Sequence, residues 1–496
     1  MQYCSTRNSK YTVSSAQAIV SGLAPDGGLF LPESIPAFSL EEISAMARLP
    51  YTGRATEVLS RFLTDFTREE LAQYIEKAYS RVKFPPEEVA PVVRLDDCAN
   101  ILELFHGPTC AFKDFALQLL PYLLTASLKK TGEHRTVVIL VATSGDTVKA
   151  ALEGFADVPG TKICVFYPDG GTSNIQRLQM TTQSGENVMV FAANGNFDDA
   201  QNGVKRIFTD QEFAKDLSGR GYLLSSANSI NRGRLVPQIA YYFSAYCDLL
   251  NQGRIQLGDP INIVVPTGNF GNILAAYFAK QCGVPVHKLV CASNQNNVLT
   301  DFLTTGTYDR NRPFYLTTSP SMDILISSNL ERLLYLLGGR DDQKLTALMK
   351  SLSETGKYSV DTQVLEALQK NFAAGCADDA KTAQTIHDTY AQDGYLCDTH
   401  TAVAVAVYRA YAQTTGDRTP TVIASTASPF KFAGTVLPAA FGVPAQGDDF
   451  GLLRQLSELS HQAAPAALAG LQDKAERFTT VVEPMKMKEA VSDWLR

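Results

Sequence analysis

Short β-branched runs that alternate with helical stretches constrain the fold of this chain more than any other feature. Each run is apolar almost throughout, which is typical of strands that are covered on both faces of a sheet. The runs are residues 137–141, 163–167, 188–191, 261–265, 289–291 and 421–424. Because parallel strands need long crossovers, usually helices, this pattern predicts an α/β fold with doubly wound parallel sheets in two domains.

A chain of 496 residues is too long for one compact core, and the pattern along it predicts three parts. Residues 1–95 show helical periodicity with Pro-rich breaks and are expected to form a helical N-terminal domain. A larger α/β domain is expected from residues 96–134 and 225–496, with 330–395 as a helical cover on its sheet. Residues 135–224 are expected to form a smaller α/β domain.

Composition excludes several classes of function. The net charge of −7 argues against binding to nucleic acid or to anionic membranes, because like charges repel. No stretch reaches the 18 apolar residues that would span a bilayer. Nine cysteines and six histidines are scattered without paired spacing, so neither disulfides nor a metal site is expected. Together with the lack of a signal-peptide pattern at the N-terminus, the reduced thiols predict a cytoplasmic protein.

One lysine stands between aromatic residues, in Phe112-Lys113-Asp114-Phe115. Burial there would disfavour the charged ammonium, and a neutral amine can form a Schiff base with a carbonyl cofactor such as pyridoxal phosphate. The alternative is an ordinary amphipathic helix start whose lysine lies in solvent, which is the more frequent outcome for such a segment in isolation. The rest of the chain has to distinguish the two.

Three predicted strands end in loops rich in ligand-binding residue types. Residues 142–147 contain three hydroxyls and a glycine at the start of a helix, residues 266–272 contain two glycines three apart, and residues 425–429 contain three hydroxyls and a proline. Helix N-termini after such loops bind carboxylates and phosphates. Each loop taken singly is also compatible with ordinary helix capping. No dinucleotide fingerprint or P-loop occurs, so a single phosphate on a small cofactor fits best.

Together these segments resemble the threonine synthase family, pyridoxal-phosphate enzymes of the tryptophan synthase β-like (fold-type II) group. The resemblance runs from end to end of the chain. The segments that carry it are residues 3–7, 22–29, 106–109, 111–114, 143–147, 195–199, 225–231, 268–272 and 319–325.

This resemblance implies a role for particular residues. Lys113 would hold the cofactor as a Schiff base, and Asp146 would lie beside its ring. The cofactor phosphate would be bound by Gly268, Asn269, Phe270, Gly271 and Asn272, and Thr426 would face the pyridine nitrogen. The residues implied to bind substrate are Ser144, Thr147, Ser173, Asn174, Gln176, Ser226, Asn228, Asn231 and Arg234.

The chain departs from the family pattern at two places. The usual Thr-Gly-Ser after Ser-Gly-Asp reads Thr147-Val148-Lys149, and Arg232 replaces an aromatic or apolar residue. Both changes add positive charge near segments implied to bind substrate. We expect both cations to be solvated surface residues, with reinforced anion binding as the alternative.

The implied reaction converts O-phospho-L-homoserine and water to L-threonine and phosphate, with the smaller domain closing over the site. One alternative is a related phospho-lyase that releases 2-oxobutyrate from the same substrate. A second alternative is a non-catalytic protein that binds pyridoxal phosphate or an amino acid. The sequence leaves the oligomeric state open between monomer and homodimer.

Overall fold

The computed structural model describes residues 1–142, 145–169 and 173–496. Its sixteen strands in the described ranges, in chain order, are β1 (Gln2–Ser5), β2 (Asn8–Ser14), β3 (Phe30–Pro32), β4 (Val92–Arg94), β5 (Ala99–Glu103), β6 (Thr136–Ala142), β7 (Thr161–Pro168), β8 (Val188–Ala193), β9 (Tyr222–Ser225), β10 (Ile261–Pro266), β11 (Val286–Ser293), β12 (Thr307–Asp309), β13 (Lys357–Ser359), β14 (Phe372–Cys376), β15 (Thr421–Ser425) and β16 (Val481–Val482).

The α-helices of the described ranges are α1 (Ser15–Ser21), α2 (Leu40–Met46), α3 (Tyr51–Phe62), α4 (Arg68–Ala78), α5 (Lys113–Leu117), α6 (Leu120–Lys130), α7 (Asp146–Phe155), α8 (Asn174–Thr181), α9 (Phe197–Thr209), α10 (Gln211–Gly219), α11 (Arg232–Asn251), α12 (Gly271–Gln281), α13 (Val298–Thr305), α14 (Leu330–Leu337), α15 (Asp342–Thr355), α16 (Thr362–Asn371), α17 (Asp379–Asp393), α18 (Thr399–Thr415), α19 (Ala433–Phe441), α20 (Asp449–Ser460), α21 (Ala466–Ala469) and α22 (Met487–Trp494). Short 3₁₀ helices lie at Pro320–Met322, Pro429–Phe432 and Pro484–Lys486.

Two mostly parallel sheets form the body of the molecule. The larger has the order β14-β11-β10-β15-β5-β4, with only β4 antiparallel to its neighbour. The smaller has the order β16-β8-β7-β6-β9, and all of its pairs are parallel. Helices cover both, and α11 is buried along nearly its whole length. The predicted class, α/β with doubly wound parallel sheets, is confirmed.

Three segments differ from the expected domain organisation. The N-terminal region is not purely helical, because β1 pairs antiparallel with β2 and β3. The expected helical cover at 330–395 contributes β14, which extends the larger sheet beside β11. The C-terminal β16 pairs with β8 of the smaller sheet, although the sequence analysis grouped all of 225–496 with the larger one. Such short strands carry too few residues for their periodicity to be read.

The carboxyl ends of β6, β10 and β15 carry the loops that the sequence analysis selected. In open α/β sheets, ligands bind at these carboxyl ends. In the described part of the chain, no helix is long and apolar enough to cross a membrane. All nine cysteines are free, and seven of them are buried, as expected for small core residues.

Candidate active site

Lys113 is the first residue of α5 and lies directly beside the end of β15. The Phe112 amide donates a hydrogen bond to the Thr426 carbonyl at 2.9 Å, and Ala111 bridges Ala427. These contacts place Lys113 next to Thr426, and the resemblance assigned both residues to one cofactor. The Lys113 ammonium lies 3.4 Å from the Ser321 hydroxyl.

Ser321 connects Lys113 to a buried histidine that the sequence analysis missed. The Ser321 amide donates to Nε2 of His400 at 3.2 Å, and Nδ1 of His400 lies 2.7 Å from Oδ2 of Asp398. Because Nε2 accepts a hydrogen bond here, the ring proton is assigned to Nδ1, which donates a hydrogen bond to Asp398. The pair fixes the 319–323 segment that forms one wall beside Lys113. Nothing in the sequence around His400 distinguishes it from an ordinary helix-start histidine.

The loop after β10 has the properties of an anion cradle. Helix α12 begins at Gly271 without a side-chain cap, and Phe270 adopts the left-handed conformation at φ 60°. Oδ1 of Asn272 accepts hydrogen bonds from Tyr241 and Tyr242, whereas its buried Nδ2 has no partner among the described residues. Uncapped helix amides and a free donor at the same position are suited to bind a phosphate.

The two glycines of this loop differ in their surroundings. A Cβ atom on Gly268 would lie 2.6 Å from the Ser321 carbonyl oxygen, so close packing against the 319–323 segment requires glycine there. A Cβ atom on Gly271 would meet only the Asn329 side chain, at 3.6 Å. The space beside Gly271 is therefore open in the folded chain. Asn269, also predicted to bind the phosphate, holds the loop through its carbonyl, which accepts from Asn329 at 2.9 Å.

Asp146 begins α7 and forms ion pairs with two lysines at one carboxylate oxygen. Nζ of Lys431 lies 2.6 Å from Oδ1, and Nζ of Lys149 lies 3.2 Å from the same atom. The Lys149 side chain is fully buried, with an exposed fraction of 0%. The expectation that Lys149 is a solvated surface residue is therefore wrong. Its position one turn into α7 directs the ammonium back to the helix start, away from solvent.

These charges shift one another's pKa values. Burial, together with the nearby cations Arg234 and Lys431, lowers the pKa of Lys113 to about 8. The attraction of Asp146 opposes this change. Burial likewise lowers the pKa of Lys149 to about 7, again opposed by Asp146. Burial alone would raise the pKa of Asp146, but Lys431, Lys149 and Lys113 hold it well below its usual value. The carboxylate is thus ionised, and the neutral fraction of Lys113 near neutral pH is far larger than that of an ordinary lysine.

Lys431 was also missed, although the signal that selected Lys113 was present. It lies in Phe430-Lys431-Phe432, a second lysine between two phenylalanines, at the end of the loop after β15. Its ammonium also donates to the Thr109 carbonyl at 2.8 Å. This lysine therefore joins the Lys113 loop, the β15 loop and helix α7.

Arg234 lies in the first turn of α11 and is buried, with an exposed fraction of 4%. Its guanidinium donates to the Ala227 carbonyl at 3.0 Å, and in the described ranges it has no ion pair and Nε has no acceptor. Burial lowers its pKa to about 10. A buried guanidinium without a carboxylate is suited to receive an anionic ligand.

Arg232 and Asn231, next to Arg234, serve the fold. Arg232 is fully buried over the rings of Tyr3, Phe62 and Phe278, so the expectation that it is solvated is wrong. Asn231 was predicted to bind substrate. Its side chain donates to the Ile19 carbonyl and accepts from the Gly233 amide, which caps α11 and commits both polar groups.

The remaining residues that were predicted to bind substrate have fewer contacts with the site around Lys113 in the described ranges. Ser144 lies outside the described residues, and Thr147 is half-buried in the first turn of α7. Ser226 is half-buried and Asn228 exposed in the segment before α11. The others lie at the start of α8; they are Ser173, which caps the helix, Asn174 and Gln176. No hydrogen bond or ion pair found in the described ranges joins these three residues to Lys113.

Three family models match the chain. They are the pyridoxal-phosphate dependent enzyme model over residues 90–426, the threonine synthase N terminus model over 2–79 and the threonine synthase C-terminal model over 401–492. The first match covers most of the chain, and the site just described lies within it or at its end. The chain thus belongs to the pyridoxal-phosphate dependent enzyme family.

Similar proteins narrow this class. The threonine synthase of Pseudomonas aeruginosa is 39% identical over 99% of this chain and 97% of its own. The crystal structure of the PLP-bound threonine synthase from Brucella melitensis superposes with a TM-score of 0.89 at 38% identity, covering all of both chains. Human threonine synthase-like 1 is 42% identical over 86% of this chain, which spans only 58% of that relative's length. The chain belongs to the threonine synthase family.

The residues present fit pyridoxal phosphate, the cofactor of this family. The depressed pKa of Lys113 favours the neutral amine that a carbonyl requires. The unpartnered Nδ2 of Asn272 and the uncapped start of α12 supply donors for a phosphate, and Gly271 leaves space for it. Thr426, whose carbonyl accepts from the Phe112 amide, brings an uncharged residue with a hydroxyl next to Lys113 in the fold.

Proposed function

We propose that this protein converts O-phospho-L-homoserine and water to L-threonine and phosphate. The observation that carries the proposal is the combination of Lys113 with surplus buried cations, since the substrate brings one amine and two anionic groups. Lys113, Arg234, Lys149 and Lys431 all lie in or beside one site, against the ionised Asp146. The family relationship to threonine synthases supports the same reaction.

Each of these residues would have its own role in the reaction. Lys113 would hold the cofactor covalently through Nζ, the α12 start would bind its phosphate and Thr426 would face its ring nitrogen. When bound, pyridoxal phosphate stores the electron pair that remains when Cα loses its proton. Once released by the substrate amine, Nζ of Lys113 would take the proton from Cα as a general base. After giving that proton up to the bound cofactor, Nζ would be free to take the proton from Cβ.

Loss of the γ-phosphate would follow, and the proton that Lys113 took from Cβ would pass to Cγ. Water would then add to Cβ, and Lys113 would return a proton to Cα before threonine leaves. Arg234 would neutralise an anionic group of the substrate inside the protein, where an uncompensated phosphate would be costly. We further propose a cytoplasmic location, supported by the nine free thiols, and a small-molecule partner only.

The test is incubation of the purified, cofactor-loaded protein with O-phosphohomoserine while phosphate, threonine and 2-oxobutyrate are measured together. Equal amounts of phosphate and threonine are expected. Phosphate with 2-oxobutyrate and ammonia would identify the phospho-lyase alternative. Cofactor binding without phosphate release would identify the non-catalytic alternative.

A further inference from the structure

Arg332, in the first turn of α14, is a fully buried guanidinium that binds only neutral acceptors. Its exposed fraction is 0%. Nε donates to the Phe30 carbonyl at 3.0 Å, Nη2 donates to the Ile230 carbonyl at 2.6 Å, and Nη1 donates to Oδ1 of Asn329. One side chain therefore joins strand β3, the segment before α11 and the residue that precedes α14.

No carboxylate within the described ranges forms an ion pair with Arg332. The adjacent Glu331 pairs instead with Arg7, at 2.7 Å. Burial, together with the nearby cation Arg232, lowers the pKa of Arg332 to about 9, and the attraction of Glu331 opposes this change. The guanidinium stays charged near neutral pH, and a buried cation of this kind is costly unless an anion offsets it.

Asn329 occupies the N-cap position of α14, where asparagine is a favoured capping residue, yet its side chain does not cap the helix. Its Oδ1 accepts from Arg332, and its Nδ2 donates to the Asn269 carbonyl at 2.9 Å. Because a guanidinium has only donors, the oxygen of the amide faces Arg332 and the nitrogen faces the loop after β10. Arg332 thus sets the orientation of this amide.

The oriented amide lies at the edge of the space beside Gly271. Nδ2 of Asn329 is 3.6 Å from the position that a Cβ atom on Gly271 would take. Nδ2 carries two N–H groups, and the Asn269 carbonyl accepts from one of them. The second is therefore a further donor for an anion at the start of α12. The backbone amide of Asn329 also donates to the Asn269 carbonyl, at 3.2 Å, which holds the loop from the same side.

We propose that Arg332 is a positioning residue for the cofactor phosphate, which acts through Asn329 on the loop at the start of α12. Its buried charge adds positive potential to a loop whose own polar groups are neutral, and its fork of donors holds the amide that borders the phosphate space. This inference rests on the proposed function for the place of the cofactor phosphate. Arg332 itself does not touch the cofactor.

The test compares pyridoxal 5'-phosphate with pyridoxal, which has the same ring and carbonyl but no phosphate. Equilibrium dialysis of the cofactor-free protein gives a dissociation constant for each, and the ratio of the two constants measures what the phosphate contributes. Arg332→Met, which removes the charge and the donors, should reduce this contribution by about tenfold or more. Pyridoxal affinity should stay within about threefold, because the phosphate loop does not bind the ring.

The matched control is Arg54→Met. Arg54 is also a buried arginine that bonds backbone carbonyls, those of Met46 and Ala47, but it pairs with Asp248 and has no contact with the loop after β10 in the described ranges. Its variant should lose stability and keep the ratio within about twofold. Arg332→Lys retains the charge without the fork and should recover part of the loss, which a purely structural role would not predict.

An unchanged ratio in Arg332→Met, or an equal fall in Arg54→Met, would overturn the proposal. Thermal unfolding of the cofactor-free proteins checks that each variant folds. If Arg332→Met does not fold, Arg332→Lys and Asn329→Ala replace it, and each should lower the ratio by about threefold or more. An unchanged ratio in these two variants would overturn the proposal as well.

Gly271→Val is measured alongside, because it tests the place of the phosphate independently of Arg332. If it leaves the ratio unchanged, the phosphate lies elsewhere, and that part of the proposed function fails together with this inference. If it lowers the ratio while Arg332→Met does not, this inference alone fails. The ratio does not depend on turnover, so a protein that fails to convert phosphohomoserine while its ratio depends on Arg332 would refute the proposed reaction and support this role.

Discussion

The helix starts of α12 and α7 both follow a parallel strand and both lie in the site, yet only the start of α7 contains charged side chains. At α12 the polar groups are backbone amides and the neutral Asn272, beside an open space at Gly271. At α7 the first residue is the buried Asp146, which faces Lys149 and Lys431. Loops of similar composition thus form a neutral cradle in one case and a dense charge cluster in the other.

The difference lies in what carries the charge. At α12, preorganised amides can bind a phosphate without ionisable groups. At α7, ion-paired side chains carry the charge, and burial lowers the pKa of Lys149 to about 7. The following predictions test whether the two helix starts differ in this way.

Lys113→Ala should have the largest effect, because every proton transfer of the proposed reaction depends on this amine. Phosphate release from phosphohomoserine should fall by about three orders of magnitude or more. Weak cofactor binding should remain, through the α12 start. The measurements are phosphate release and equilibrium dialysis with the cofactor. Turnover near the wild-type rate would exclude Lys113 as the reacting lysine.

Asp146→Asn should destabilise the protein strongly, because it leaves two buried ammonium groups without a carboxylate. A loss of about 3 kcal/mol in the free energy of unfolding at pH 7 is expected from urea titration. The folded-state pKa of Asp146 is depressed, so its contribution is present above about pH 4 and disappears as the pH falls through the folded value. The difference between variant and wild type should therefore shrink below about pH 4.

The matched control is Asp210→Asn. Asp210 caps α10 and pairs with Lys488 at 2.8 Å on the surface, and asparagine can keep the cap. Only a small loss in the free energy of unfolding is expected there, because solvent screens an exposed ion pair. Equal losses at the two positions would mean that the Asp146 cluster behaves as an ordinary surface ion pair.

Arg234→Ala should lower kcat/KM for phosphohomoserine by about two orders of magnitude, since a charge-assisted contact to a buried anion is lost. The spectrum of the bound cofactor should not change, because Arg234 is not assigned to the cofactor. Arg232→Met is the comparison, because Arg232 lies in the same helical turn but contacts aromatic rings. Its kcat/KM should stay within about threefold. A reversed order of the two losses would contradict the assignment.

Gly271→Val should weaken cofactor binding by about tenfold while leaving the fold of the cofactor-free protein intact. The added side chain enters a space that only the Asn329 side chain borders, so the obstacle it creates is to the ligand. Gly268→Ala should instead destabilise the cofactor-free protein, because its Cβ would meet the Ser321 carbonyl at 2.6 Å. Cofactor titration and thermal unfolding of the cofactor-free proteins separate these outcomes.

Lys149→Met should have the smallest effect on stability, with the opposite sign. Without bound phosphate, removing a desolvated ammonium should stabilise the protein by about 1 kcal/mol at pH 7, because Lys431 still pairs with Asp146. The pKa of Lys149 is about 7 in the folded state and higher when unfolded, so the wild type gains stability as the pH rises above 7. The advantage of the variant should therefore vanish towards pH 10.

Urea unfolding at pH 7 and pH 10 measures this change, and the exposed Lys350→Met should be neutral at both values. A variant that is less stable than the wild type at pH 7 would show that the ammonium is already well solvated or paired in the folded state.

The sequence by itself determined the features that adjacent residues encode. Apolar runs predicted the strands β6, β7, β8, β10, β11 and β15 to within a few residues. This was possible because a buried strand requires apolar residues at consecutive positions of the sequence. The aromatic neighbours of Lys113 selected it in the same way. Strands too short to show a period, such as β9, β14 and β16, were not found.

Only the tertiary structure decided which charges share one environment. Asp146 and Lys431 are separated by 285 positions in the chain, and Lys113 meets Ser321 across 208. Whether a lysine is solvated depends on what packs over it, so Lys149 read as a surface residue until α7 was placed against the β15 loop. The cost of burying an ammonium, and hence its pKa and its use for binding an anion, is set by those distant neighbours.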